Sequence, residues 1–271
     1  MVQISREVNL NGCGAPARIA NPWPGAVVTV VERTGSTMDD CLALGLRGMP
    51  SGTTVVAGFQ ERGRGRAPGR RWLSPGWESL LMTVLVRAGE LAFPPSQLPL
   101  RVGLAVSRAV GDATGSEPAI RWPNDAMLAG RKVAGILTEM NSELDKVKYI
   151  IPGIGINVNN RASCLPEEVK LIATTLRDEC GADVPVIDLV RNFLEEFDHW
   201  YEIFLKHGFP PVAIEWKKLN NTIGSRVKVY DGEIEIYGRA TDIDEEGFLL
   251  IQSDAGQTIR ILSGDVSLRN Q

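Results

Sequence analysis

RWPNDAMLAGRKVAGIL, residues 121–137, predicts a strand, a turn and a returning strand in the middle of the chain. Pro123 disfavours helical geometry at the residue before it, and the Asn-Asp pair that follows is typical of a turn. Lys132 begins the returning strand, and Gly135 leaves one face of that strand bare. A glycine inside a strand often marks the close approach of a ligand, so this segment predicts a site for a carboxylate and a phosphoryl group. An ordinary turn with a surface lysine is the alternative.

Strand-like and helical segments alternate on both sides of this stretch, which favours an α+β fold. Hydrophobic patterning predicts strands at 26–31, 53–59, 79–86, 132–140 and 149–159. It predicts helices at 36–48, 96–111 and 186–207. In the last helix, aromatic and aliphatic residues recur every three or four positions, which is typical of core packing. His199 and His207 are then surface residues, and Gly208 ends the helix.

The pattern changes after residue 221. Five short alternating segments, separated by Asp-Gly, Glu-Gly and Ala-Gly turns, fill residues 222–271 and predict a small β-barrel. Residues 1–25 are rich in Gly, Pro and Asn without a clear period, so we predict an irregular extension too short for a winged helix-turn-helix. The main domain is then expected at 26–221.

Composition excludes several classes of protein. The chain has 29 Lys and Arg against 33 Asp and Glu, and its net charge of −4 argues against a general nucleic-acid binder. Two histidines on one helix nearly exclude a multi-histidine metal site, so no metal ligands are predicted. Four scattered cysteines without a CxxC pair predict reduced thiols and a cytoplasmic protein. No apolar run approaches the ~18 residues of a membrane span, and no signal peptide is apparent.

A basic, glycine-rich loop lies in the otherwise neutral part of the chain. GFQERGRGRAPGRRW, residues 58–72, has five arginines and four glycines. Glycine lets the backbone approach a ligand, and arginine offers a forked donor to carboxylate or phosphate. The spacing matches neither a P-loop nor a dinucleotide-binding fingerprint. The loop predicts a small anionic ligand; a solvated loop and a nucleic-acid surface are the alternatives, although few aromatics are interleaved as the latter requires.

Two further segments carry polar groups that a ligand could use. Ser36 and Thr37 begin a helix, where free N–H groups and hydroxyls suit a polar or anionic group, unless they simply cap the helix. In GIGINVN, residues 153–159, Asn157 and Asn159 would share one face. Buried asparagines need partners, so they would bond a turn or a ligand; a strand edge or bulge is the alternative.

The combination and order of these motifs resemble the biotin protein ligase family, also called biotin–[acetyl-CoA-carboxylase] ligase, over roughly residues 26–271. The resemblance implies a central mixed β-sheet flanked by helices, of the class II synthetase-like biotin/lipoate ligase type, followed by a small SH3-like β-barrel. It implies that biotin and ATP, with Mg²⁺, give biotinyl-5′-AMP and pyrophosphate. The biotinyl group then passes to one lysine of biotin carboxyl carrier protein. Neither nucleic acid nor a membrane is an expected partner, a homodimer is allowed, and no repressor activity is expected.

The resemblance also implies roles for individual residues. Those expected to bind biotin are Ser36, Thr37, Met38, Gln60, Arg64, Gly65, Arg66, Lys132 and Gly135. Those expected to bind ATP are Arg66, Trp72, Asn124, Lys132 and Asn157, and the catalytic set is Lys132, Arg66 and Arg64.

Two features depart from the family pattern. Met38 stands where Asn or Gln is usual, so a contact there would come from the main chain. The arginine loop is one residue longer than usual, which affects residues 67–70. A lipoate or octanoate ligase or transferase, whose catalytic domain is related, is the alternative function.

Overall fold

A computed structural model describes residues 21–66, 69–72, 74, 76–90, 94–144, 146–165, 167–231, 234–262 and 265–268. The central strands are β1 (Val28–Thr34), β2 (Thr54–Gln60), β3 (Ser79–Val84), β4 (Val86–Arg87), β5 (Ala119–Arg121), β6 (Asp125–Leu128), β7 (Arg131–Glu143) and β8 (Lys146–Asn157). The helices are α1 (Thr37–Leu46), α2 (Leu98–Thr114), α3 (Glu167–Lys170), α4 (Leu176–Cys180), α5 (Val186–His207) and α6 (Pro210–Leu219). The remaining strands are β9 (Arg226–Asp231), β10 (Ile234–Ile243), β11 (Leu249–Ser253), β12 (Thr258–Ile261) and β13 (Asp265–Leu268).

The central sheet is mixed, which confirms the expected fold class. Its strands run in the order β1-β2-β3-β8-β7-β6-β5, with β4 also beside β8. The β1–β2 pair is parallel, and the other pairs are antiparallel. The stretch predicted as one strand at 79–86 is divided, because Leu85 lies between β3 and β4. The turn and returning strand of residues 121–137 form the β5–β6–β7 meander.

The two faces of the central sheet are covered differently. Side chains alternate along each strand, so Val56 joins the main core under α2 and α5, whereas Val55 joins a smaller cluster under α1. The α5 stripe packs as predicted: Phe193 and Phe197 are fully buried, and both histidines of that helix are exposed. Within the described residues, α1 is the helix that packs on the second face, and a cavity lies beside it.

The N-terminal prediction falls mostly outside the described residues. Residues 1–20 lie there, but Trp23 is buried and its ring stacks on Phe197 with 5.7 Å between centroids. Part of the segment expected to be an irregular extension therefore belongs to the core. The domain limits themselves stay predictions.

The C-terminal strands form a separate antiparallel sheet, as the alternating pattern predicts. Their order is β12-β11-β10-β9-β13, so the last strand returns beside the first, as in an SH3-like barrel. The turn before β11 contacts the main domain, because Gly247 O accepts a bond of 3.3 Å from the indole N–H of Trp122. Glu245 O accepts another, of 2.8 Å, from the Gln97 amide. Among the described residues, no helix has the length and apolarity that crossing a membrane requires.

Candidate active site

A cavity of about 570 Å³ opens on the sheet face that α1 covers in part. Its walls are the start of α1, the arginine loop, and strands β7 and β8. All of the site residues predicted from the sequence line it: Ser36, Thr37, Met38, Gln60, Arg64, Gly65, Arg66, Trp72, Asn124, Lys132, Gly135 and Asn157. Residues separated by more than a hundred positions are thus brought together. Their roles toward a ligand stay predictions.

The floor of the cavity is made of glycines. Gly135 of β7 lies directly opposite Gly155 of β8, and Gly153 is the next residue of β8 on that face. A Cβ on Gly155 would lie 2.5 Å from Cε2 of Trp72, and one on Gly153 would lie 2.9 Å from Sδ of Met38. Both contacts are shorter than real side chains allow, so the floor must be bare for these two side chains to lie on it. Gly153 and Gly155 were not predicted as site residues, although two glycines two positions apart in an apolar strand indicate a bare face that another group can approach.

Polar groups gather at the α1 end of the cavity. Ser36 caps the helix, and its Oγ accepts a bond of 3.3 Å from the N–H of Met38. The N–H and the hydroxyl of Thr37 both lie within bonding distance of Gln60 Oε1, at 2.7 and 3.0 Å. The hydroxyl of Thr37 also lies 2.7 Å from that of Thr83. The side-chain carbonyl of Gln60 is therefore fixed toward the helix.

Lys132 reaches the cavity through an irregularity in its strand. Ala126 pairs with Ala134, but the next residue of β6 pairs with Lys132, so β7 has one extra residue there. The lysine ammonium lies 2.6 Å from Oδ1 of Asp125 and 3.0 Å from the Cβ position of Gly135. Asp125 also lines the cavity, although the sequence pattern did not predict it as a site residue.

The arginine loop folds back on itself across the cavity. Arg64 pairs with Arg71 as in an antiparallel ladder, and Gly65 N–H donates to Arg70 O at 2.9 Å. Trp72 N–H donates to Gly63 O at 3.2 Å, and the indole lies on Gly135 and Gly155. Of the segment that the extra residue affects, 67 and 68 lie outside the described residues.

The two predicted nucleotide-side asparagines bond main-chain carbonyls. The Asn124 amide donates to Ile136 O, and the Ile136 N–H donates back to Asn124 O at 2.9 Å. Asn157 is buried and donates to Thr174 O at 3.1 Å, which ties β8 to the segment before α4. Asn159 instead bonds both backbone groups of Val184, so it fixes a loop outside the cavity.

The described residues form neither a metal-ligand cluster nor a disulfide. No group of three or more His, Cys, Asp or Glu is placed there to hold a metal ion. Cys41, Cys164 and Cys180 are free thiols, and Cys13 lies outside the described ranges. Burial, with a smaller contribution from Asp40, raises the pKa of the Cys41 thiol far above its ordinary value, so that thiol is an unreactive core residue.

The mixed sheet, the glycine-floored cavity with its basic loop, and the small C-terminal sheet together define a protein ligase of the biotin and lipoate type. The model of the biotin/lipoate A/B protein ligase family matches residues 30–157, and the model of the biotin protein ligase C-terminal domain matches residues 222–269. The chain belongs to the biotin protein ligase family.

Individual relatives agree with this membership. The chain is 35% identical to the bifunctional ligase/repressor BirA of Bacillus subtilis, over 86% of this chain and 71% of that protein. It is 33% identical to the biotin–[acetyl-CoA-carboxylase] ligase of Mycobacterium tuberculosis, over 88% of this chain and 87% of that protein. The structure of the Aquifex aeolicus biotin protein ligase in complex with biotin and ATP superposes with a TM-score of 0.77 at 33% identity, covering 90% of this chain and 99% of that one.

Proposed function

We propose that this ligase joins biotin to ATP, giving biotinyl-5′-AMP and pyrophosphate, and then transfers the biotinyl group to a lysine of biotin carboxyl carrier protein. The observation that supports this most directly is the cavity beside α1. It brings a lysine, the basic loop and a polar helix start around a bare glycine floor. Such a floor admits a ring system close to the backbone, and the cations suit a carboxylate and phosphates.

The first step requires positioning and charge stabilisation. A biotin carboxylate is already a nucleophile, so its oxygen can attack the α-phosphorus of ATP while the bond to pyrophosphate breaks. Lys132 and Arg66 would stabilise the charge that develops on the phosphoryl oxygens. Asp125 holds the Lys132 ammonium at the cavity wall, where it can meet both reacting groups. No histidine is needed, which suits a chain with only two.

Biotin would occupy the α1 end and the floor of the cavity. Its polar ring would meet Ser36, Thr37 and Gln60, and Met38 would supply an apolar contact in place of an amide. Gly135 would lie beneath it, with the backbone of Arg64 and Gly65 above.

ATP would occupy the other end, beside Asn124 and Asn157. Trp72 lies between the biotin end and the ATP end of the cavity. Its buried indole N–H has no acceptor among the described residues. A buried donor without a partner costs about 1–3 kcal/mol, so an acceptor on the ligand would relieve that cost.

Mg²⁺ is proposed as a companion of the nucleotide. Magnesium commonly binds one or two carboxylates together with substrate phosphates. Among the described lining residues, Asp125 is the carboxylate that faces the cavity, so it would hold the ion together with ATP. When bound, the ion would neutralise charge on the leaving pyrophosphate.

In the second step the acceptor lysine, as the neutral amine, would attack the carbonyl carbon of the adenylate. The amide bond would form as the bond to AMP breaks, and the nitrogen would lose its proton to solvent. The Mycobacterium tuberculosis relative is named for acetyl-CoA carboxylase, and we propose the biotin carboxyl carrier protein of such a carboxylase as the acceptor here. A cytoplasmic location is proposed because two of the free thiols, those of Cys164 and Cys180, are exposed, as suits a reducing compartment.

We also propose that two copies form a homodimer through β7. Residues 137–143 of β7 pair with β8 on one side, whereas β6 pairs with β7 only as far as Gly135 on the other side. Within the described residues, the side of 137–143 that faces away from β8 is therefore an open edge. An open edge is a ready site for pairing with a second copy. Sedimentation of the wild type and of Met140→Lys tests this, since a charge at the edge would weaken a dimer. A wild type that stays monomeric with biotin and ATP present would contradict it.

Pyrophosphate exchange tests the proposed activity. Purified protein with MgATP and labelled pyrophosphate is expected to form labelled ATP only when biotin is present. Replacing biotin by lipoate or octanoate separates the alternative activity, and labelled biotin offered with a carrier domain tests the transfer. Exchange that depends on lipoate but not on biotin would refute the proposal.

A further inference from the structure

The guanidinium of Arg64 joins three separate parts of the chain. Its Nε and one terminal nitrogen donate to the two oxygens of Glu139, at 2.9 and 3.1 Å, in a forked pair. Its other terminal nitrogen donates to Oδ1 of Asp39 at 2.9 Å. Glu139 belongs to β7, Asp39 to the first turn of α1, and Arg64 to the arginine loop. The two acids come from different elements, so the single guanidinium ties the arginine loop to both α1 and β7.

We infer that Arg64, Asp39 and Glu139 form a clasp that holds the arginine loop across the cavity. Arg64 is then a positioning residue, because all three of its side-chain nitrogens are engaged with protein carboxylates. This departs from the expectation that Arg64 is catalytic. It also gives Asp39 and Glu139 a function that the sequence did not predict, and it rests on the proposed function only where adenylate retention is concerned.

The geometry explains why this arginine, among the five of the loop, fixes the backbone. Arg64 lies at the point where the loop returns on itself, opposite Arg71, and its neighbour Gly65 donates to Arg70 O. Fixing the Arg64 side chain therefore fixes both arms of the loop, and with them the backbone of Trp72, whose N–H donates to Gly63 O. Because the guanidinium is planar and bonds carboxylates on two sides, it fixes the orientation of the Arg64 side chain as well as its distance from the two acids.

The clasp is partly exposed, which makes it responsive to salt. The exposed fractions of the side chains are 35% for Arg64, 49% for Asp39 and 41% for Glu139. Ion pairs with this exposure are screened by salt. Burial lowers the pKa of Arg64, but the hydrogen bonds to Asp39 and Glu139 outweigh burial and raise it, so the guanidinium stays charged.

Limited trypsin digestion of the ligand-free protein tests the clasp without relying on any activity. Cleavage after Arg70 and Arg71 is expected to be about threefold to tenfold faster in Glu139→Gln than in the wild type. Glu143→Gln is the matched control, because Glu143 lies on the same strand but pairs with Lys148, at 3.6 Å, away from the loop. Salt is expected to speed cleavage of the wild type more than that of Glu139→Gln.

Two results of the digestion would overturn the clasp. Equal cleavage of Glu139→Gln and the wild type is one. An equal acceleration by Glu143→Gln is the other, since it would show a general loosening of the strand.

Adenylate retention supplies the second readout. Release of labelled biotinyl-5′-AMP from Glu139→Gln and Asp39→Asn is expected to be several-fold faster, with exchange at saturating biotin within about twofold of wild type. Arg64→Lys keeps the positive charge but loses the forked guanidinium. Its rate of adenylate release is expected to lie between the rates of the two acid variants and that of the wild type. Unchanged release in both acid variants would refute the clasp. A wild type without exchange activity would instead refute the proposed function, and the digestion result would still stand.

Discussion

The ammonium of Lys132 and the carboxylate of Asp125 form an ion pair of 2.6 Å inside the cavity. The two residues lie on neighbouring antiparallel strands, and the pair stays partly accessible from the cavity. A lysine held in this way has a fixed position before any ligand arrives, which lowers the reorganisation needed when an anion binds.

Replacing this lysine tests its role in adenylate formation. Lys132→Ala is expected to lower pyrophosphate exchange about 100-fold to 1000-fold, the usual loss when one donor to a developing charge is removed. The melting temperature should change little, because the side chain lies on the cavity wall. Arg131→Ala is the control, since Arg131 pairs with Glu179 and does not line the cavity. Wild-type exchange in Lys132→Ala would refute the role.

Gln60 provides a test of the biotin end of the cavity. Gln60→Ala removes the acceptor of two bonds from Thr37, so the helix start loses its fixed polar partner. Biotin affinity measured by calorimetry is expected to fall about tenfold, the equivalent of roughly 1.4 kcal/mol. Gln252→Ala, on the exposed side of β11, should bind biotin like the wild type. Unaltered affinity in Gln60→Ala would contradict this arrangement.

The glycine floor predicts a graded response to added methyl groups. Gly155→Ala would meet the rigid indole of Trp72, whereas Gly153→Ala would meet the flexible end of Met38. Biotin binding is therefore expected to be nearly lost in Gly155→Ala and reduced more moderately in Gly153→Ala. Gly89→Ala, where nothing lies within 4 Å of the added atom, should resemble the wild type. The reverse order of severity would refute the proposed packing.

Asp244 makes the stability of the C-terminal unit depend on pH. Burial raises its pKa, but bonds from Arg260 and from the N–H groups of Phe248 and Glu246 outweigh burial, so the pKa lies below its ordinary value of 3.8. A carboxyl with a lowered folded-state pKa stabilises the fold above about pH 4, and that stabilisation is lost as pH falls through the folded value.

Thermal melts from pH 7 down to about pH 2.5 test this linkage. The melting temperature of Asp244→Asn is expected to fall below that of the wild type at pH 7, and the difference should shrink in acid. Asp254→Asn removes an exposed carboxylate of the same sheet that pairs with Arg226, and it serves as the control. A difference that stays constant with pH would rule out the charge as the cause.

Much of the fold could be predicted because helix periodicity and turn dipeptides depend on residues that are close together in the sequence. The spacing of aromatic residues and the following Gly208 predicted α5 at 186–207, where the structure places it. Helix α6 was missed, although a proline within its first turn is a signal for it. Turn dipeptides likewise predicted the five strands of the C-terminal sheet.

Pairings between distant residues could not be predicted in the same way. The carboxylate of Glu139 lies 75 positions from Arg64 and looks like any strand acid in the sequence. Asp125 was interpreted only as a turn residue, because its contact with Lys132 depends on the register of β6 and β7. The bare floor arises only when β7 sets Gly135 opposite Gly155.

The extra residue in β7 fixes how many residues may separate Lys132 from Gly135. In a regular strand, positions three apart point to opposite sides, yet here both face the cavity because the ladder shifts between them. A ladder without this extra residue would place the lysine and the glycine on the same face only if they were two positions apart, which would bring the ammonium one residue, or about 3.4 Å, closer along the strand to Gly135. The extra residue therefore sets the reach of the ammonium as well as its direction, because it places Lys132 three residues away from the bare floor and still on the same face.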